Sequence, residues 1–237
     1  MIDGIVFDKD GTLFDFRRSW GGWAATFLGG LARDPGHAAA MAGAIGYLPE
    51  TGGFLPDSVV IAATSQEIAG ALLPHLPGRT RDELAAEINA AAANAAMAEA
   101  VPLVPLFAAL RARGLKLGIA TNDSEVPARA HLAAHGLTGL VDFVAGYDSG
   151  YGAKPGPGMC TAFAQATGLA PGRVVMVGDS RHDLVAGRAA GMRTVAVLTG
   201  IAGAADLAPD ADVVLADIGG LPGWLDGISA RESPTIA

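Results

Sequence analysis

The stretch MIDGIVFDKDGTLFD, residues 1–15, sets a short apolar run directly against two carboxylates that flank a lysine and precede Gly-Thr. Residues 2–7 read as a mostly buried strand, which puts Asp8 and Asp10 at its mouth. Carboxylates belong mostly to loops and helix surfaces, where water solvates them. Two of them at the end of a buried strand point to chemistry. The rest of the chain has to supply a sheet for that strand and partners for those charges.

Downstream the pattern has two parts. Residues 17–100 are alanine-rich and helical, with candidate helices near 20–32, 36–46, 57–72 and 80–99 and no convincing strand. GYLPETGGFLPDS, residues 46–58, has the turn chemistry of a loop. After VPLVPL (101–106), short Val/Ile/Leu runs alternate with helices near 103–113, 125–135, 157–167 and 182–190. The runs are LKLGIA (115–120), VDFVAGY (141–147), RVVMV (173–177), RTVAVL (193–198) and DVVL (212–215). Strands alternating with helices give a parallel sheet covered on both faces. The expected fold is therefore α/β: a core of residues 1–16 and 101–230, an all-helical insert over 17–100, and a frayed tail over the last ten or so residues, with 231–237 outside the core.

Bulk composition narrows the partners. The 237 residues carry a net charge of −8 and are 51% hydrophobic, enough to bury a substantial core. With no run of Lys or Arg, a basic face for nucleic acid is excluded. No apolar run approaches the ~20 residues of a membrane span. One cysteine, Cys160, rules out an intrachain disulfide, and no basic-then-apolar leader stands at the N-terminus. The expected address is the cytoplasm, and the oligomeric state is left open.

In open α/β sheets, ligands bind beyond the carboxyl ends of the strands. Four polar positions fall there: Asp8-Lys9-Asp10, Thr121-Asn122, Lys154, and Asp179 with Asp183. Carboxylates gathered in one place repel unless a hard cation sits among them, and Mg²⁺ suits a few aspartates plus a phosphate oxygen. Thr121 offers a hydroxyl, Asn122 an amide donor and Lys154 a point charge, all suited to phosphoryl oxygens. A carboxylate can attack phosphorus to form an acyl phosphate. A second can protonate the leaving oxygen and then deprotonate water.

DKDGT, Thr121, Lys154-Pro155 and GDSRHD, in that order, resemble the four motifs of the haloacid dehalogenase superfamily, and the match spans the core. The insert resembles that superfamily's helical cap on a Rossmann-like sheet. The resemblance implies Asp8 as nucleophile, Asp10 as acid/base, and Thr121 and Lys154 as phosphate ligands. It also implies Mg²⁺ held by Asp8, Asp179 and the backbone carbonyl of Asp10, with Asp183 a ligand or an orienter of ligands. Lys9 departs from the pattern, since relatives often carry an apolar residue there. It either points away from the metal or lowers the local negative charge.

The implied activity is a phosphatase for a small phosphomonoester, with phosphoglycolate phosphatase-like members as the nearest overall look. The alternatives are a β-phosphoglucomutase-type mutase and a non-catalytic phosphometabolite-binding relative. A mutase must grip a second phosphate, and the insert is basic only at Arg17, Arg18, Arg33, Arg79 and Arg81. Arg17 and Arg18 are a weaker candidate for an anionic substrate tail. His182 is read as a rim histidine, Cys160 as a packing residue, and Trp20 and Trp23 as insert packing. Asp179 and Asp183 can also act as a helix N-cap and first-turn acid.

Overall fold

The computed structural model describes residues 1–232, and their side chains through residue 228. In chain order the elements begin with strand β1 (Gly4–Phe7), helices α1 (Phe16–Leu31) and α2 (Pro35–Ala44), and strands β2 (Tyr47–Leu48) and β3 (Gly53–Phe54). Helices α3 (Ser65–Leu72), α4 (Arg81–Ala92) and α5 (Leu103–Ala112) follow, then β4 (Lys116–Ala120), α6 (Glu125–Ala134) and β5 (Phe143–Ala145). The chain continues through α7 (Gly158–Thr167), β6 (Val174–Gly178), α8 (Arg181–Ala189) and β7 (Arg193–Val197). It closes with α9 (Ala204–Leu207), β8 (Val213–Leu215) and α10 (Leu221–Glu232).

Six strands form one parallel sheet in the order β5-β4-β1-β6-β7-β8. From β1 the chain steps outward to β4 and β5, then returns to the other side of β1 for β6, β7 and β8. The loops leaving β1 and β6 consequently diverge, and the crevice between them is the topological switch point where such sheets bind ligands. Alternation along the strands feeds both faces. Ile5, Phe7, Val175 and Val177 join one apolar cluster with Phe107 of α5, Leu132 of α6 and Leu221 of α10. Val6, Val174 and Met176 join another, with Cys160 and Phe163 of α7 and Ala186 of α8. The chain between β1 and α5 has a separate apolar cluster of its own, built on Trp20, Trp23, Phe27, Leu72, Leu84 and Ile88 among others.

Several local readings are corrected. The loop at 46–58 holds a two-stranded ribbon, β2 with β3, in which Tyr47 pairs Phe54 and their rings lie 5.4 Å apart. The helix expected over 57–72 is a short 3₁₀ turn and then α3, because Thr64 stops the run and caps α3 in a reciprocal box with Glu67. The helix expected over 80–99 ends at Ala92. Beyond it, Ala98 accepts from Asp15 N–H (2.9 Å) and Ala100 donates to Leu13 O (2.9 Å), so pairing with the outgoing strand-like segment overrides alanine's helix propensity. At the far end, α10 continues to Glu232 where the sequence suggests fraying; residues 233–237 lie outside the described residues. Among the described residues, no helix is long and apolar enough to cross a membrane.

Candidate active site

The loop after β1 is tied down by backbone hydrogen bonds. Asp8 N–H donates to Val177 O of β6 (2.8 Å), and Gly11 N–H donates to Phe14 O (2.7 Å). Asp8 therefore stands over the crevice between β1 and β6. Thr121 follows β4 and is fixed by its N–H on Ala145 O (3.0 Å). Asp179 follows β6, and Asp183 lies in the first turn of α8. Lys154 arrives on the loop between β5 and α7.

These residues meet. Lys154 Nζ donates to Asp8 Oδ1 (2.5 Å) and to Asp183 Oδ1 (2.6 Å), and all three side chains are almost wholly buried. Carboxylate oxygens of Asp8, Asp179 and Asp183 lie within 4.8 Å of one another. Burial raises the Asp8 carboxyl, the Lys154 ammonium opposes that, and Asp183 and Asp10 add to it; the outcome is a pKa of about 7. Asp179 is driven well above the usual carboxylate range by burial and by the charges of Asp8 and Asp183. Burial by itself would lower Lys154, but Asp183 and Asp8 outweigh it and hold the ammonium above its ordinary value. One lysine against this many buried carboxylates leaves negative charge uncompensated.

The residues fit a small divalent cation. A Cβ at Gly11 or at Gly200 would run into the Asp179 carboxylate, so two glycines make the room in which that carboxylate sits. Gly11 also has φ +84, a left-handed conformation that glycine adopts freely. An all-oxygen donor set with space for water suits Mg²⁺.

Asp10 is held apart from this cluster. Its Oδ1 accepts from Lys9 Nζ (2.7 Å) and from Trp20 Nε1 of α1 (3.0 Å). Lys9 turns from the Asp8, Asp179 and Asp183 carboxylates toward Asp10, and it is not solvated: it is fully buried, paired to Asp10 and to Asp123 (3.1 Å), with Trp20's ring 5.3 Å away. Burial would lower its pKa, yet Asp10 and Asp123 raise it above the ordinary value, so it stays charged. Its remaining contact is His131 Nδ1 at 3.1 Å. His131 Nε2 faces Ala92 O at 2.8 Å, which requires the proton on Nε2 and leaves Nδ1 as acceptor. Burial and Lys9 push that imidazole down to about 4, so it is neutral.

Other expectations fare differently. Asn122 gives its amide hydrogens to Ala62 O (2.7 Å) and Lys154 O (2.9 Å), and its Oδ1 accepts Lys154 N–H (2.9 Å). It braces Lys154 against the insert, and its amide is not a spare donor for a phosphoryl oxygen. The Thr121 hydroxyl accepts Asp123 N–H (3.0 Å). The N-cap of α8 is Ser180, not Asp179; Asp183 completes the box by accepting from Ser180 N–H and Oγ. His182 is an exposed rim residue as expected, and Arg17 and Arg18 are exposed on α1. Cys160 is buried, its thiol pushed up to about 12 by burial. Sequence reasoning missed Asp123, His131 and the Trp20–Asp10 bond. The one available signal was Lys9 itself, since a lysine at a buried strand mouth demands acidic partners.

A family model described as haloacid dehalogenase-like hydrolase matches residues 2–191. The chain belongs to the haloacid dehalogenase-like hydrolases. A phosphoglycolate phosphatase of Rhodospirillum rubrum is 36% identical over 120 residues, 51% of this chain and 50% of that protein. The chain thus aligns with about half the length of the curated relatives it matches. A hydrolase from Pseudomonas syringae superposes with TM-score 0.69 at 21% identity, over 96% of this chain and 99% of its own. β-Phosphoglucomutase from Clostridium difficile gives TM-score 0.66 at 17% identity, over 98% of both chains. At these identities the two structures share the fold of this haloacid dehalogenase-like hydrolase.

Two outcomes test the electrostatics. Removing one partner of a buried ion pair costs about 3–5 kcal/mol, so Lys9→Met should lower the unfolding free energy by about 3 kcal/mol or more in urea titrations. Saturating Mg²⁺ should raise the Tm. At a hundredfold excess over Kd, linkage adds about 2.7 kcal/mol, which is about 5–10 °C for a chain of this size. Chelator should reverse the shift, and Asp179→Asn should abolish it.

Proposed function

We propose that this chain is a Mg²⁺-dependent phosphatase that hydrolyses a small phosphomonoester through an aspartyl-phosphate on Asp8. The observation that carries this reading is the pairing of Asp8 with Lys154 at 2.5 Å, with Asp179 and Asp183 close enough to share one cation. The phosphoglycolate phosphatases among the relatives support the same class of reaction. Its single cysteine is buried, which suits a reducing compartment such as the cytoplasm.

Asp8, Asp179 and the Asp10 backbone would hold Mg²⁺, with Asp183 supporting them. When bound, that ion supplies the charge neutralisation that lets a phosphoryl dianion approach a carboxylate. Asp8 attacks phosphorus, the bond to the leaving oxygen breaks, and Asp10 delivers a proton to that oxygen. Lys154 holds Asp8 in place and offsets charge on the phosphoryl oxygens, with the Thr121 hydroxyl as a further ligand. Asp10 then takes a proton from water, whose oxygen attacks the acyl phosphate and regenerates Asp8. Lys9 and Trp20 fix the Asp10 carboxylate beforehand, so little reorganisation is needed at the moment of transfer.

The test is phosphate release from a panel of phosphomonoesters, with Mg²⁺ and with chelator. Turnover should require Mg²⁺. Asp8→Asn should abolish it with the thermal unfolding profile retained. Asp10→Asn should lower kcat by about 10²–10⁴, the usual contribution of a general acid–base. Appreciable activity in Asp8→Asn would overturn the nucleophile assignment.

A further inference from the structure

The cleft above Asp8 holds about 630 Å³ of open space, including its mouth, and is walled on two sides by different chemistry. The sheet side presents five aspartates and Lys154, with Thr121, Asn122, Ser180 and, at the rim, His182. The insert side is formed by Trp20, Trp23, Val60, Ile61, Ile68 and Ile88, together with three alanines and Ser65. No lysine or arginine of the insert is among the residues lining it. Arg17 and Arg18 follow the site motif directly in sequence, yet they are exposed on α1 and do not line the cleft.

Three of the polar atoms on the insert wall are already engaged within the protein. Trp20 Nε1 donates to Asp10 (3.0 Å). Ser65 Oγ bonds the Tyr147 hydroxyl (2.9 Å). Ala62 O accepts from Asn122 (2.7 Å). Trp23 Nε1 has no partner, but it is shielded from solvent. What remains facing the cleft is hydrocarbon and aromatic surface.

Resting on the phosphatase reading above, we infer that the substrate is a phosphomonoester whose alcohol portion is uncharged and apolar. The phosphoryl group is served by the sheet side, where Lys154 lies. A second anion on the leaving alcohol, a carboxylate or a second phosphate, would be pressed against hydrocarbon with no lysine or arginine to meet it, beside carboxylates that already outnumber the lysines and with His182 at the opposite rim as the one further basic side chain lining the cleft. Burying an unpaired charge is strongly disfavoured. An alkyl or aryl portion instead gains by covering the indoles and branched side chains. The inference sets this chain apart from its phosphoglycolate phosphatase relatives.

The experiment compares two isosteres on the purified chain with Mg²⁺: isobutyl phosphate and phosphoglycolate, in which an isopropyl group and a carboxylate occupy the same space. p-Nitrophenyl phosphate serves as the activated reference. The expected kcat/KM ratio favours isobutyl phosphate by about tenfold or more, mainly through KM, as suits a charge left unpaired. Ala63→Lys, which puts a cation on the half-buried insert wall, should move that ratio toward phosphoglycolate. Hydrolysis of p-nitrophenyl phosphate with phosphoglycolate equal to or better than isobutyl phosphate overturns the inference and leaves the phosphatase reading standing. Release from none of the three overturns the phosphatase reading and the inference with it.

Discussion

The site depends on one buried cation. Lys154 sits between Asp8 and Asp183, bonded to both and screened from water with them. Two carboxylates and Asp179 could not be brought this close in a dry crevice without it, because each added negative charge raises the cost of the others. The sheet order makes the arrangement possible. β1 and β6 are adjacent although some 170 residues separate them in sequence, and their loops diverge from the same crevice. Asn122 then positions Lys154 by taking both its N–H and its carbonyl, so the loop after β4 holds the cation that the loops after β1 and β6 require.

A second buried lysine divides the carboxylates into two sets. Asp8 and Asp10 stand two residues apart, yet Asp8 answers to Lys154 and Asp10 answers to Lys9. Lys9 is shared in turn with Asp123, and Nδ1 of neutral His131 accepts a hydrogen bond from its remaining N–H. This separation matters for the chemistry proposed. A nucleophile must be ionised and close to phosphorus, whereas an acid/base has to exchange a proton with the leaving oxygen and with water. Giving each its own counter-charge lets neighbouring residues work in different electrostatic surroundings.

Much of this was legible in the sequence because it rests on local pattern. The alternation of Val/Ile/Leu runs with helices determines a parallel sheet, and polar residues following those runs mark its carboxyl end. What stayed hidden rests on tertiary pairing. Nothing in the alanine-rich run after Arg81 announces that helix α4 stops at Ala92, because the stop comes from residues 13–15 pairing with 98–100. Asn122 reads as a donor toward ligand until the backbone of Ala62 and Lys154 is seen to occupy it. Trp20 reads as an amphipathic helix's apolar face, and its ring does pack there, but its N–H reaches Asp10 from the other side of the cleft. Side chains with one apolar and one polar end belong to two environments at once, and periodicity reports only the first.

That last bond ties the insert to the chemistry. Besides the pairing of residues 13–15 with 98–100 and the bonds of Glu99, hydrogen bonds from the insert to the sheet-bearing part of the chain include Trp20 to Asp10, Asn122 to Ala62, Ser65 to Tyr147, and His131 to Ala92. Two of them end on the network that holds Asp10, one through the carboxylate itself and one through the histidine that receives Lys9. Any separation of the insert from the sheet must break them, so it must also loosen Asp10. In the reaction proposed for this site, a closed cleft and an oriented Asp10 would be the same physical state. Water exclusion over the proposed acyl phosphate and the fixing of the group proposed to activate water would then follow from one set of contacts.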